Sequence, residues 1–327
     1  MRNFFRMIGW CGWAMCGSVS GTESTIHLRE PPLSGVVTDA GISSPVLLII
    51  PGSGPTDHDG NSPLGVKAQP YRLLANELLS RDISVVRVDK RGMFLSRSAI
   101  ENPNDVTLET YARDALTWAA YLSDARHVSC VWVLGHSEGS QVAALAAHID
   151  ARHICGLILA SAPGRPGWAV LSGQLHARLL VTGHSHDMQA VDGAIDALRH
   201  GHRVQAANLP PMVQGLFRDN VQAYLMDWFR HDPVSDLAGS QVPTLVIEGT
   251  ADQQVSVADG ALLRQARPDV QLVIVNGMNH VWKASTSDSN ADLATYARED
   301  LPVMQALPEA IAQFMKKHPK GIGIDRR

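Results

Sequence analysis

The sequence predicts an α/β fold, a mostly parallel sheet covered by helices on both faces and interrupted by a helical insertion. Three observations carry that prediction. Apolar runs of strand length alternate with stretches of helical periodicity, as a sheet buried on both faces requires. Those runs end in turn formers, Val46-Leu47-Leu48-Ile49-Ile50 at Pro51-Gly52 and Cys155-Gly156-Leu157-Ile158-Leu159-Ala160 at Ser161-Ala162-Pro163-Gly164. From Pro166 to Ser240 no strong strand pattern is present, a stretch too long for an ordinary crossover.

In chain order, Val36-Val37 and residues 46–50 read as strands, and residues 52–63, dense in Gly, Pro, Asp, Asn and Ser, as a loop. Residues 71–80 have helical spacing and precede a strand at 84–88, which breaks at Asp89-Lys90-Arg91-Gly92. Leu108, Tyr111, Ala112, Ala115, Ala119 and Leu122 line one side of a helix over 108–122, followed by a strand over 129–134. An alanine-rich helix over 140–149 leads to the strand at 155–160. The insertion carries helical periodicity at 170–181, 186–199 and 220–229. Sheet character returns at 244–247 and, after a helix at 258–267, at 271–275. Residues 284–300 read as a surface connection that is polar and irregular at first and helical toward its end, and 303–317 as the closing helix. The expected organisation is a core of residues 25–163 and 241–320 with a cap at 164–240.

A chain of 327 residues, 45% hydrophobic, is long enough for a substantial core. Its net charge of −4, with no long Lys/Arg run, gives no electrostatic footprint for nucleic acid, so a small-molecule partner is expected. Cys11, Cys16, Cys130 and Cys155 lack metal-ligand spacing; the last two lie in apolar runs and are expected to be buried free thiols, with no disulfide framework. Residues 1–24 read as an export leader or a loose amino-terminal arm, because Arg2 and Arg6 precede an acid-free apolar stretch and then small residues. A secreted or periplasmic location is therefore favoured over a cytoplasmic one. Beyond residue 24 no apolar run approaches the roughly 20 residues that span a bilayer.

Chemistry is concentrated in Gly135-His136-Ser137-Glu138-Gly139, between a strand and a helix. Small residues at 135 and 139 let the chain turn abruptly and present the serine oxygen at the tip. The pattern alone is weak, since with 27 glycines in the chain it arises by chance in roughly one sequence in six. Its companions sharpen it. Ser137 needs a base and an acid that orients the base. Of 14 histidines, His280 follows the last strong strand, and Asp252 follows the strand before it; Glu248 is the weaker acid candidate because it lies at the strand's end. The order Ser, Asp, His at successive carboxyl-end loops is a nucleophile, acid and base series. The oxyanion donors are expected from the backbone of Glu138 and from Ser53, with Gly54 as second choice, in Gly52-Ser53-Gly54-Pro55. His136 is expected to point away as a spacer or sheet contact. Asp57 and Asp59 are expected to hold the loop by bonding backbone amides rather than to bind a metal, and Asp89, Lys90 and Arg91 to form a charged turn beside it.

With these motifs the chain resembles the α/β-hydrolase superfamily, in particular bacterial esterase, lipase and serine-aminopeptidase-like hydrolases, over nearly everything from Val36 onward. The resemblance implies an eight-stranded, mostly parallel sheet with a lid inserted after strand six. It also implies Ser137 as nucleophile, Asp252 as acid, His280 as base, and an oxyanion hole from Ser53 or Gly54 together with Glu138. Pro51 stands where many esterases carry a histidine. The expected activity is hydrolysis of small or medium carboxylic esters through an acyl-enzyme, without cofactor or metal. Hydrolysis of amides or small peptides is the rival activity, and a catalytically retired binding module the rival class.

Overall fold

The computed structural model describes residues 22–285 and 288–319, so the leader expectation falls mostly outside the described residues, as do Cys11 and Cys16. The strands are β1 (Glu23–His27), β2 (Ser34–Thr38), β3 (Val46–Ile50), β4 (Ser84–Val88), β5 (Val131–His136), β6 (Ile154–Ala160), β7 (Thr244–Gly249) and β8 (Gln271–Val275). The helices are α1 (Pro70–Leu79), α2 (Leu108–Ala125), α3 (Glu138–Ile149), α4 (Gly167–Val181), α5 (Met188–Arg199), α6 (Pro211–Gln214), α7 (Asp219–Trp228), α8 (Pro233–Ala238), α9 (Val257–Ala266), α10 (Ser289–Thr295) and α11 (Ala306–Lys317). None of the described helices is long and apolar enough to cross a membrane.

One eight-stranded sheet runs in the order β1-β2-β4-β3-β5-β6-β7-β8. The pairs β1/β2 and β2/β4 are antiparallel, and every other neighbouring pair is parallel. This is the α/β-hydrolase architecture, with α4 to α8 inserted between β6 and β7. The continuous apolar run of β3 follows from cover on both faces: Leu48 and Ile50 join the cluster containing α2 and α3, whereas Leu47 and Ile49 join the one containing α1 and α11. The cap is tied to the core by polar contacts as well. Trp228 Nε1 donates to Gln141 Oε1 on α3 at 3.0 Å, and Asp227 accepts the Leu108 N–H at the start of α2 at 2.8 Å. Thr107 also caps α2 by a reciprocal bond with Thr110.

Two expectations need correction. Cys130 and Cys155 are not free thiols but form a disulfide, their Cα atoms 5.1 Å apart. The register of β5 against β6 explains it: Val131 pairs with Ile154 and Trp132 with Gly156, leaving Cys155 as the extra residue of a bulge beside Cys130. Gly156 is required there because a Cβ would lie 2.4 Å from the Trp132 ring. Spacing along the chain carries no trace of this neighbour relation. The second correction is β1, whose largely exposed sequence Glu-Ser-Thr-Ile-His lacks an apolar signal and begins within the stretch read as leader or arm. Residues 284–300, read as polar at first and helical toward their end, contain the short helix α10, with Asp288 as its N-cap.

Candidate active site

The turn from β5 into α3 places Ser137 at φ 55°, ψ −124°, a conformation costly for a residue with a side chain. The residues two positions to either side must be glycines. A Cβ on Gly135 would lie 2.2 Å from the Gly139 carbonyl oxygen, and one on Gly139 would lie 2.4 Å from the Ile50 carbonyl oxygen. Ser137 N–H donates to the Ala160 carbonyl at 3.0 Å, and the Ser140 N–H and hydroxyl both donate to the Ser137 carbonyl, at 2.9 and 2.6 Å. The serine is 8% exposed.

Asp252 and His280 are brought together by the adjacent strands β7 and β8. Asp252 Oδ2 lies 2.8 Å from His280 Nδ1, while its Oδ1 accepts the N–H groups of Gln254 and Val255 at 2.8 and 2.9 Å. Burial alone would raise the Asp252 pKa, but the charge and hydrogen bond of His280 and the two amides outweigh it and hold the carboxyl below its usual value. An ionised Asp252 makes Nδ1 the protonated ring nitrogen and leaves Nε2 as the basic one. Glu248, the competing acid, is fully buried, accepts the Ala162 N–H at 3.1 Å, and has its pKa raised well above the usual value by desolvation and then by Asp252.

His136 is more than a spacer. Its ring packs against that of His280, with ring centroids 4.7 Å apart. Its Nε2 donates to the His280 carbonyl at 2.9 Å, and its Nδ1 accepts from the Tyr71 hydroxyl at 2.7 Å. Desolvation, reinforced by His280, pushes its pKa down to about 3, so the ring is neutral and its tautomer fixed.

The loop after β3 reaches the serine through Gly52, where a Cβ would lie 3.3 Å from Ser137 Cβ. Gly52 N–H donates to the Tyr71 hydroxyl at 3.2 Å, and its carbonyl accepts from Lys90 Nζ at 2.7 Å. Ser53 and Gly54 beyond it are exposed, Gly54 with φ +69°. Glu138 opens α3, where a backbone N–H has no partner within the helix. Asp57 holds the loop as expected, accepting the N–H groups of Asp59 and Asn61 at 2.9 and 2.8 Å. Asp59 differs, pairing instead with the buried Arg87. Asp89 accepts the His58 N–H at 2.7 Å and faces its ring, raising the His58 pKa, whereas Arg91 turns away to Asp114. Asp57 is thus engaged by backbone amides, His58 by Asp89 and Asp59 by Arg87, and among the described residues no group of three His, Cys, Asp or Glu side chains is arranged to hold a metal.

Sequence reasoning did not single out Tyr71 or assign a partner to Lys90. Tyr71 reads only as an apolar helix position, and Lys90 as a charged turn residue.

A sequence model of the family described as serine aminopeptidase, S33, matches residues 64–282. The chain belongs to this family. The matched S33 region contains Ser137, Asp252 and His280 but begins after Ser53 and Gly54. Esterase EstD of Thermotoga maritima is 26% identical over 243 residues, covering 72% of this chain and 54% of its own length. The chain therefore spans about half the length of that relative. Among solved structures, ferulic-acid-bound Est1E of Butyrivibrio proteoclasticus superimposes with a TM-score of 0.55 at 17% identity, covering 88% of this chain and 96% of Est1E. The Pyrococcus furiosus esterase Pf2001 gives 0.55 at 16% identity, with 97% and 98% covered. These two likenesses show a common fold for this S33 member.

Proposed function

We propose that the protein is a serine hydrolase that cleaves carboxylic esters of small or medium substrates through an acyl-enzyme intermediate. The observation that carries this reading is the Asp252–His280 pair at 2.8 Å, with the His280 carbonyl bonded to His136, the residue that precedes a serine held at positive φ between two obligatory glycines. Ser137 Oγ attacks the ester carbonyl as His280 Nε2 takes its proton. The oxyanion is received by the N–H of Glu138 and that of Ser53, or of Gly54. His280 then protonates the departing alkoxide, and next activates the water that releases the acyl group. Asp252 stabilises the imidazolium in both halves.

Esters rather than amides are favoured by the cap. Leu171, Leu175, Leu225 and Trp228 are apolar and buried, while two acids that face the core are already engaged, Asp227 by the Leu108 amide and Asp236 by Gln141. These two carboxylates are therefore engaged within the protein rather than held for a substrate α-amine. The similarity to an esterase relative, at 26% identity, points the same way. The family's aminopeptidase description supports the second reading, hydrolysis of short peptides or aminoacyl amides by the same residues. The test is kcat/KM on p-nitrophenyl esters of graded acyl length against aminoacyl p-nitroanilides, with Ser137→Ala as control. We expect the esters to win and the variant to lose at least about 1,000-fold. Higher efficiency on the anilides would overturn the ester preference, and an active Ser137→Ala would overturn the mechanism.

Export to an oxidising compartment is part of the same proposal, supported by the Cys130–Cys155 disulfide.

A further inference from the structure

Lys90 is a buried cation that the proposed reaction does not use. It extends from the end of β4 across the end of β3, and is 6% exposed. Its Nζ donates to the Gly52 carbonyl at 2.7 Å, lies 3.6 Å from Glu138 Oε1, and stands 5.3 Å from the centroid of the Tyr111 ring. Burying an ammonium is costly and draws its pKa down, an effect that Glu138 opposes. A group placed at such cost beside two backbone segments calls for a reason beyond filling space.

The planarity of the peptide supplies one. The Gly52 carbonyl and the Ser53 N–H belong to the same peptide unit, and in a trans peptide they point in opposite directions. A donor fixed on the Gly52 oxygen therefore fixes where the Ser53 N–H points. It also polarises that unit, making the Ser53 N–H a stronger donor. The Ser53 N–H bonds to no group among the described residues, while the preceding Gly52 N–H is held by Tyr71. Glu138, the carboxylate that faces Lys90, belongs to the residue whose own N–H is the other candidate donor. The order β4-β3-β5 makes this possible, because the end of β3 lies between the ends that carry Lys90 and Ser137.

We propose that Lys90 is the positioning residue of the oxyanion hole, aiming the Ser53 N–H through the Gly52 carbonyl and joining it to the helix start at Glu138. This rests on the reading of Ser137 as nucleophile. Loss of Lys90 leaves substrate docking in place and weakens only the hold on the tetrahedral state, so the effect falls on kcat rather than on KM.

The experiment compares wild type with Lys90→Met, with Lys90→Met/Glu138→Gln, which leaves no unpaired buried charge, and with Lys90→Arg, which keeps a charge opposite Glu138. Folding is checked by thermal melting. The readouts are kcat and KM on p-nitrophenyl butyrate and Ki for an alkyl trifluoromethyl ketone, which forms a tetrahedral adduct. In the double variant we expect kcat to fall roughly 10- to 100-fold with KM within about twofold, and the ketone's Ki to rise in parallel. Lys90→Arg, whose planar fork misplaces the donor, is expected to lose at least about threefold. A folded double variant with wild-type kcat and Ki overturns the proposal, as does a fall in kcat with Ki unchanged. Fluorophosphonate labelling of wild-type Ser137 in the same preparations separates the two failures. Labelled serine with indifferent Lys90 variants defeats the role of Lys90 alone; unlabelled serine defeats the nucleophile reading beneath it.

Discussion

The two ends of β5 are built by opposite means. At the amino end, Cys130 is bonded covalently to Cys155 beside a bulge, among the apolar side chains of the α1/α11 layer. At the carboxyl end, seven residues along the chain, Ser137 is held at positive φ by glycines, hydrogen bonds and a buried ion pair. The first arrangement stabilises without requiring any atom to be aimed. The second holds a strained backbone and buried polar groups, each needing a partner, in return for geometry. Under the proposed mechanism, stability and reactivity fall at different ends of one strand, and changes at each end should have separable effects.

The largest effect is expected at the carboxyl end. Asp252→Asn retains the shape of the pair but removes the charge that stabilises the His280 imidazolium, and kcat on an activated ester should fall roughly 1,000- to 10,000-fold with a melting temperature near that of wild type. A loss below tenfold would break the contrast by showing that the acid is not catalytic. At the amino end, Cys130→Ser/Cys155→Ser opens a cross-link between residues separated by 25 positions. It should cost about 3 kcal/mol in denaturant unfolding, with kcat of the folded fraction unchanged. A large drop in kcat at full folding would mean that the two ends are coupled.

The smallest effect sharpens the picture through pH. His136 has its pKa pushed down to about 3 when folded, against an ordinary value of 6.5. Between those values the unfolded chain binds a proton that the folded one refuses. Its contribution is therefore complete above about pH 6.5 and declines as pH falls toward 3, by up to about 1.4 kcal/mol per unit. The stability gap between wild type and His136→Gln, whose side chain does not titrate, should narrow from pH 7 to pH 5. A constant gap would show that the buried ring is not held neutral.

Much of this arrangement was legible in the sequence, and the illegible part has a common cause. Apolar runs ending in turn formers gave the strands of the sheet, and therefore the loops that carry Ser137, Asp252 and His280, because burial on both faces leaves a local signature. The neighbour order of strands leaves none. The Cys130–Cys155 bond depends on β5 lying beside β6, and the contact of Lys90 with Gly52 depends on β4 lying beside β3. Tyr71 reaches both Gly52 and His136 only because α1 packs under that same edge. The strand β1 was missed for a different reason, since its side chains are mostly exposed and its pairing is through the backbone.

The central claim is that the strained serine at the end of β5 is the nucleophile. The direct measurement is reaction of the folded protein with a fluorophosphonate, followed by intact-mass and peptide mass spectrometry. One adduct per chain on Ser137, absent in Ser137→Ala and slowed in Asp252→Asn, is the predicted result. Absence of an adduct on the folded wild type, or its location on another residue, would contradict the account.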